Sequence, residues 1–157
     1  MVTNIRKGKA SDLPQVLELI KELALYEKAP SEVTVTLTEL IEDSFGDKPV
    51  FYFFVAEQGS EILGTAIYYI KYSTWKGRCV YLEDIIVKES QRGKNIGTNL
   101  FKAVLLESKN LGAKRMEWQV LDWNTPALHF YEKFDALVDP SWVNCKLTEE
   151  QILNYKF

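Results

Sequence analysis

The chain has 157 residues, 46% of them hydrophobic and 13% aromatic, with a net charge of −3. That is enough apolar material for one domain with a real core, spanning residues 1–157, and it argues against disorder. The absent basic excess argues against a general nucleic-acid binder, and no run nears the ~18 apolar residues of a membrane span. The opening "MVTNIRKGKASDL" lacks the apolar centre of an export signal, so a cytoplasmic protein is expected. Cys79 and Cys145 lie in strand-like apolar stretches and read as reduced core residues.

After a short first strand, Ser11 or Asp12 can cap a helix to about Tyr26, with Leu13, Val16, Leu17, Ile20, Leu23 and Ala24 at helical spacing. "TLTELIEDSF" predicts a second helix, with Thr36 or Thr38 near its start. "VFYFFVAEQGSEILGTAIYYIKY" reads as two strands turning at Gly59-Ser60, and "WKGRCVYLEDIIV" turns at Gly77 into another. A glycine-bearing basic turn, "ESQRGKNIG", then leads into a helix with Ile96, Leu100, Phe101, Val104 and Leu105 on one face. "AKRMEWQVLDW" is the next strand, and "NTPALHFYEKF" a helix with Pro126 in its first turn. "ALVDPSWVNCKL" is strand-like but broken at Asp139-Pro140, and Thr148 caps a last helix. The order predicts an α/β fold, an antiparallel meander followed by strand–helix–strand units.

The turn admits a chemical reading. A helix start leaves amides without intrahelical partners and adds partial positive charge. Glycine lets a bulky anion approach that backbone, so Gly93 and Gly97 suit a phosphate, with Arg92 and Lys94 adding charge. The plain alternative is a strand–helix connection with a solvated basic rim. Neither a Walker loop nor G-x-G-x-x-G is present. Downstream, Asn124 offers a donor and an acceptor at a strand-to-helix boundary. Tyr131, two turns further on, offers a phenol or simply packs with Phe130 and Phe134.

"VKESQRGKNIGTNL" (Val87 to Leu100) together with "WNTPALHFY" (Trp123 to Tyr131) resembles the GNAT superfamily of N-acetyltransferases. "IKELALYEKAP", "LIEDSFGDKP", "YSTWKGRCVYLEDIIV" and "VLDWNTPALHFYEKFDA" resemble its spermidine/spermine acetyltransferase family. "YSTWKG" and "VLDWN" are similar to the thialysine N-epsilon-acetyltransferase branch. Two positions depart from the family pattern: Asn95 and Asp135 stand where glycines are usual. Asn tolerates positive φ, so the turn can survive; Asp135 should weaken the end of its helix.

The resemblance implies a mixed central sheet with an antiparallel N-terminal meander flanked by helices. It implies acetyl-CoA as co-substrate, no metal, and transfer to a primary amine of a small diamine, polyamine or thialysine-like amino acid. It places the cofactor on Ile85, Ile86, Val87, Arg92, Gly93, Lys94, Asn95, Ile96, Gly97, Thr98, Asn124, Tyr131 and Lys133. It places the acceptor among Tyr26, Glu27, Trp75, Glu83 and Asp84, and suggests a homodimer through the segment around Trp142. No membrane or nucleic-acid partner is expected.

The chemistry fits these residue types. An ammonium of pKa near 10.4 leaves only roughly one molecule in 2,500 with a free lone pair at pH 7, so a base is needed. Glu83 and Asp84 interrupt an otherwise apolar strand; because neighbours on a strand point to opposite faces, one is expected towards the amine and the other elsewhere. The resemblance makes Glu83 the base, through a water, and Tyr131 the group that meets the departing thiolate. The resemblance also suggests a backbone amide near Ile85 or Val87 as donor to the oxyanion. His129 reads as a surface or packing residue. Ser73 stands where polyamine-specific members typically carry aspartate, which favours a short diamine or thialysine-like acceptor over spermine. The alternatives are a peptide, protein or drug amine, or a non-catalytic acyl-CoA sensor.

Overall fold

A computed structural model describes residues 2–156. They fall into two compact units, one up to Gln119 and one from Val120. In the first, β1 (Asn4–Lys7) leads through a 3-10 turn to α1 (Leu13–Tyr26) and then α2 (Leu37–Phe45). Strands β2 (Tyr52–Gln58), β3 (Glu61–Ser73) and β4 (Gly77–Val87) follow, then α3 (Ile96–Asn110) and β5 (Met116–Glu117). The second holds α4 (Thr125–Glu132) and α5 (Glu149–Leu153).

The sheet order is β1-β2-β3-β4-β5. The first four strands pair antiparallel and β5 runs parallel to β4, the expected meander in a mixed sheet. The hairpin turns fall at Gly59 (φ 64) and Gly77 (φ 93), where positive φ favours glycine. Thr36 begins α2 with a reciprocal cap: its hydroxyl accepts from the Glu39 amide at 3.2 Å, and Glu39 Oε2 accepts from the Thr36 amide at 2.7 Å.

Alternation on the strands assigns the faces. Ile67 joins Leu13, Val16, Leu19, Leu40, Phe53, Val55 and Ile86 in a core under α1 and α2. Its neighbour Tyr68 points the other way and meets Glu107 of α3. Each fully buried core aliphatic contributes about 1.5–3 kcal/mol over its exposed state.

The register of β3 on β4 slips once. Ile67 faces Asp84 and Tyr68 faces Leu82, so Glu83 is an extra residue in β4, a bulge. Asp84 is therefore returned to the α1 face, the face of Ile67 and of Tyr81, which stands opposite Tyr69. The expectation that Glu83 and Asp84 separate to opposite faces is corrected for this reason.

Three other expectations change. The strand over residues 113–123 shrinks to Met116–Glu117. Residues 136–147 form no strand; Asp139 instead accepts from the Ser141 amide at 2.9 Å, turning the chain at Pro140, and Cys145 is exposed rather than in a core. Asp12 precedes α1 but makes no capping bond to it. Its carboxylate accepts from the Lys9 amide at 2.8 Å and takes two bonds from Arg6, at 2.7 and 3.0 Å. Arg6 also grips Glu57 on β2, at 2.7 and 2.9 Å.

Arg6 holds the Asp12 carboxyl below the ordinary carboxylate range, against the opposing effect of burial. A depressed folded-state pKa gives stability that is full above the unfolded value and is lost as pH falls through the folded one. Replacing Arg6 by Met should cost about 1–3 kcal/mol near pH 7, by leaving the buried Asp12 carboxylate with only the Lys9 amide as donor. The Asp12→Asn protein should lose less stability between pH 5 and pH 2 than the native protein in urea titrations; equal acid loss would remove this pair from the acid response.

Candidate active site

The turn between β4 and α3 owes its shape to two left-handed residues, Gly93 (φ 76) and Asn95 (φ 60). Asn95 is the residue before α3, and its side chain makes no cap bond. The first helical bond runs from the Asn99 amide to the Asn95 carbonyl at 3.0 Å. The amides of Gly93, Lys94, Asn95, Ile96, Gly97 and Thr98 thus meet no acceptor among the described residues. A Cβ at Gly93 would have no atom within 4 Å, so its φ rather than crowding asks for glycine. Such a run of donors at a helix start fits the diphosphate of a CoA thioester.

Arg92 behaves differently from its neighbours. Its amide bonds the Glu89 carbonyl at 3.2 Å, and its Nε donates to the Val87 carbonyl at 3.3 Å. Its guanidinium lies 5.3 Å from the ring centroid of Tyr26, the last residue of α1. The Glu89 amide donates to Glu22 of α1 at 3.1 Å. The turn is thereby tied to the end of α1.

Strand β4 is open on one side. β5 pairs only with Val80 and Tyr81, so Leu82 to Val87 have β3 on one edge and no strand on the other among the described residues. The Lys88 amide bonds Leu63 of β3 at 2.9 Å. By antiparallel alternation the Ile86 amide points the same way, while those of Ile85 and Val87 point to the open edge. A peptide-like pantetheine arm can pair there as an added strand would.

Glu27 directly follows α1, and its charge reaches Asp84. Burial, then Glu83, then Glu27, push the Asp84 carboxyl up to about 7; burial also raises Glu27. Three carboxylates converge, a setting that favours an incoming cation. Burial and then Glu83 raise the phenols of Tyr69 and Tyr81, the latter to about 12.

The second unit holds Asn124, Tyr131 and Lys133. Asn124 caps α4, its Oδ1 accepting from the Ala127 amide at 3.3 Å, so that oxygen has a structural partner. Tyr131 is buried, edge-on to Phe130 at 5.2 Å, and Lys133 follows the end of α4. Asp135 takes φ 54, the left-handed value for which glycine is usual. Trp75 does not join the carboxylates within this chain. It lies 79% exposed at the tip of the β3–β4 hairpin, about 20 Å along the strand from Glu83.

Sequence reasoning missed a second cluster on the α1 face: Tyr69, Lys71 and Tyr81 with Glu117. Its one sequence signal was the period-two spacing of Tyr69 with Lys71 and of Tyr81 with Glu83.

Residues 13–136 match the family described as acetyltransferase (GNAT). The chain is 41% identical over 142 residues to thialysine N-epsilon-acetyltransferase of Mus musculus, covering 85% of this chain and 84% of that one. It is 32% identical over 160 residues to spermidine/spermine N(1)-acetyltransferase-like protein 1 of Homo sapiens, covering 96% of this chain and 23% of that protein. Among solved structures, an integron cassette protein of V. cholerae superposes with a TM-score of 0.78 at 20% identity, over 98% of this chain and 96% of the other. The chain belongs to the acetyltransferase (GNAT) family, with its fold. It is an acetyltransferase.

Asp84 has its own stability signature. Its raised folded-state pKa makes stability greatest below the ordinary value and lost as pH climbs towards about 7. Asp84→Asn should match the native protein in thermal melts near pH 4 and exceed it near pH 8, by about 1–3 kcal/mol given its partial exposure. Equal melting at both pH values would contradict the crowding of charge described here.

Proposed function

We propose that this chain transfers acetyl from acetyl-CoA to a primary amine of a small diamine, polyamine or thialysine-like amino acid, by direct attack within a ternary complex. The observation that carries this reading is the unpartnered amide run Gly93–Thr98, tied through α1 to the carboxylates Glu27, Glu83 and Asp84. The names of the mouse and human relatives support the amine class.

Glu27 and Asp84 attract the acceptor ammonium, and Glu83 takes its proton through a water. Lifting the proton is general-base work of about 10²–10⁴-fold. The freed nitrogen attacks the thioester carbonyl carbon. The amide of Ile85 or Val87 donates to the developing oxyanion. As the C–S bond breaks, the sulfur leaves as thiolate and Tyr131 supplies it a proton. Gly93, Lys94, Asn95, Ile96, Gly97 and Thr98 hold the diphosphate. Arg92 adds charge while bracing Tyr26. Asn124 and Lys133 hold the rest of the cofactor from α4, and Trp75, remote from Glu83 within its own chain, serves the acceptor side only across the dimer. Residues 1–157 act as one catalytic domain; a family match that crosses the boundary at Gln119 supports this.

The chain works as a homodimer in the cytoplasm. The exposed apolar side chains of Leu137, Val138, Trp142 and Val143 support self-association, and the free thiols of Cys79 and Cys145 suit a reducing compartment. A monomer in sedimentation at micromolar concentration would remove the dimer from this reading.

An amine panel with acetyl-CoA and thiol-release detection tests the function. Short diamines and thialysine should release thiol faster than spermine. Glu83→Gln should lower kcat/KM at least 10²-fold. Tyr131→Phe should lower kcat with little change in the KM of acetyl-CoA. Tight acetyl-CoA binding with no thiol release for any amine would point to a sensor instead. Separately, Gly93→Val forces a branched side chain into left-handed backbone, and should raise the KM of acetyl-CoA about tenfold or more while the amine KM moves little. An unchanged acetyl-CoA KM would detach the turn from the cofactor.

A further inference from the structure

Lys71 lies on β3, two residues after Tyr69 and two before Ser73, so the three share a face. It is the α1 face, since Ile67 lies two residues before Tyr69. Tyr69 stands opposite Tyr81 of β4, and Tyr81 opposite Glu117 of β5. The two tyrosine rings stack with centroids 5.1 Å apart. Lys71 Nζ sits 5.5 Å from the Tyr81 ring centroid and 3.4 Å from the Glu117 carboxylate. Arg115 Nε approaches that same carboxylate at 3.3 Å. Two cations sharing one anion leave a single positive charge on this cluster.

The cluster borders the acidic group. The charge of Glu83 acts on Asp84 and on the phenols of Tyr69 and Tyr81 alike. Tyr81 and Glu83 are two positions apart on β4, about 7 Å. A cation on an aromatic ring, backed by a carboxylate, is also where the second ammonium of a long amine would gain most. Lys71 already fills that position.

We propose that Lys71 is a specificity-determining residue: its ammonium stands in for the distal ammonium of a long polyamine, and so restricts the enzyme to acceptors carrying charge only near Glu27, Glu83 and Asp84. This rests on the reading that those carboxylates receive the acceptor amine. A spermidine chain reaching along β4 meets the positive charge of Lys71 and Arg115, whereas a short amine ends before it. Ser73, next on the same face, adds no countercharge.

A charge series tests the assignment. kcat/KM for n-butylamine and for spermidine is measured with acetyl-CoA and thiol-release detection in native protein, Lys71→Arg, Lys71→Met and Lys71→Glu. The spermidine-to-butylamine ratio should stay within twofold in Lys71→Arg. It should rise at least fivefold in Lys71→Met and further in Lys71→Glu, with the gain shrinking as salt is raised. Thermal melts check folding, and Lys71→Gln replaces Lys71→Met if the latter fails to fold. If native protein acetylates amines and the ratio ignores the charge at position 71, Lys71 is overturned and the acceptor reading stands. If native protein releases no thiol with any amine, the acceptor reading falls and takes this inference with it.

Discussion

A regular antiparallel strand shows alternate side chains to opposite faces, so adjacent carboxylates on β4 would lie on opposite sides of the sheet. One would be buried under α3 and the other would stand alone on the α1 side. The extra residue at Glu83 breaks that alternation and returns Asp84 to the face where α1 ends. There burial, Glu83 and Glu27 act together on Asp84. The crowding is unfavourable when all three are ionised, and an arriving ammonium relieves it. The acidity of this cluster is therefore a consequence of strand register, not of composition.

The same strand supplies the other half of the site. Past Tyr81 no strand pairs with it in the direction of β5 among the described residues, which leaves a sheet edge leading to the turn before α3. Positive φ at Gly93 and Asn95 then aims the following amides outward. An open edge is ordinarily an aggregation hazard; confined to a few residues beside a turn of unpartnered amides, it is suited to an extended ligand with a phosphate at one end. Arg92 over Tyr26 and Glu22 on the Glu89 amide join that turn to α1, so the basic and acidic ends share one brace.

Local chemistry makes much of this readable in the sequence. The caps at Thr36 and Thr148, the turns at Gly59 and Gly77, and the periodic faces of α1 and α3 each need only a short window of sequence. Asn95 in a glycine position was readable too, since its backbone tolerance is intrinsic. Register was not. The bulge at Glu83 depends on how Ile67 and Tyr68 align with their partners, and no property of "YLEDIIV" reveals it. For the same reason the Lys71 cluster stayed hidden: it takes three strands in register to place Tyr69, Tyr81 and Glu117 in a row. The apolar run around Trp142 reads as a strand because β propensity reports a fit to a pleated surface, and these residues have no strand to pair with among those described.

The sheet also bears on how the acetyl group must travel. A thioester is already activated, so a protein nucleophile is useful only if it can reach the carbonyl and is deprotonated. Cys79 is buried with its thiol towards the Gly77 carbonyl at 3.5 Å, near the start of β4 and four residues before Glu83. About four strand residues, roughly 13 Å, separate the two. A thiol so placed cannot serve a carbonyl held near Ile85 without dismantling the strand that holds it. The carboxylates, by contrast, stand on that strand at the position of the open edge. Cys79 is thus out of reach as an acyl carrier for such a carbonyl, which agrees with the direct attack by the amine proposed above.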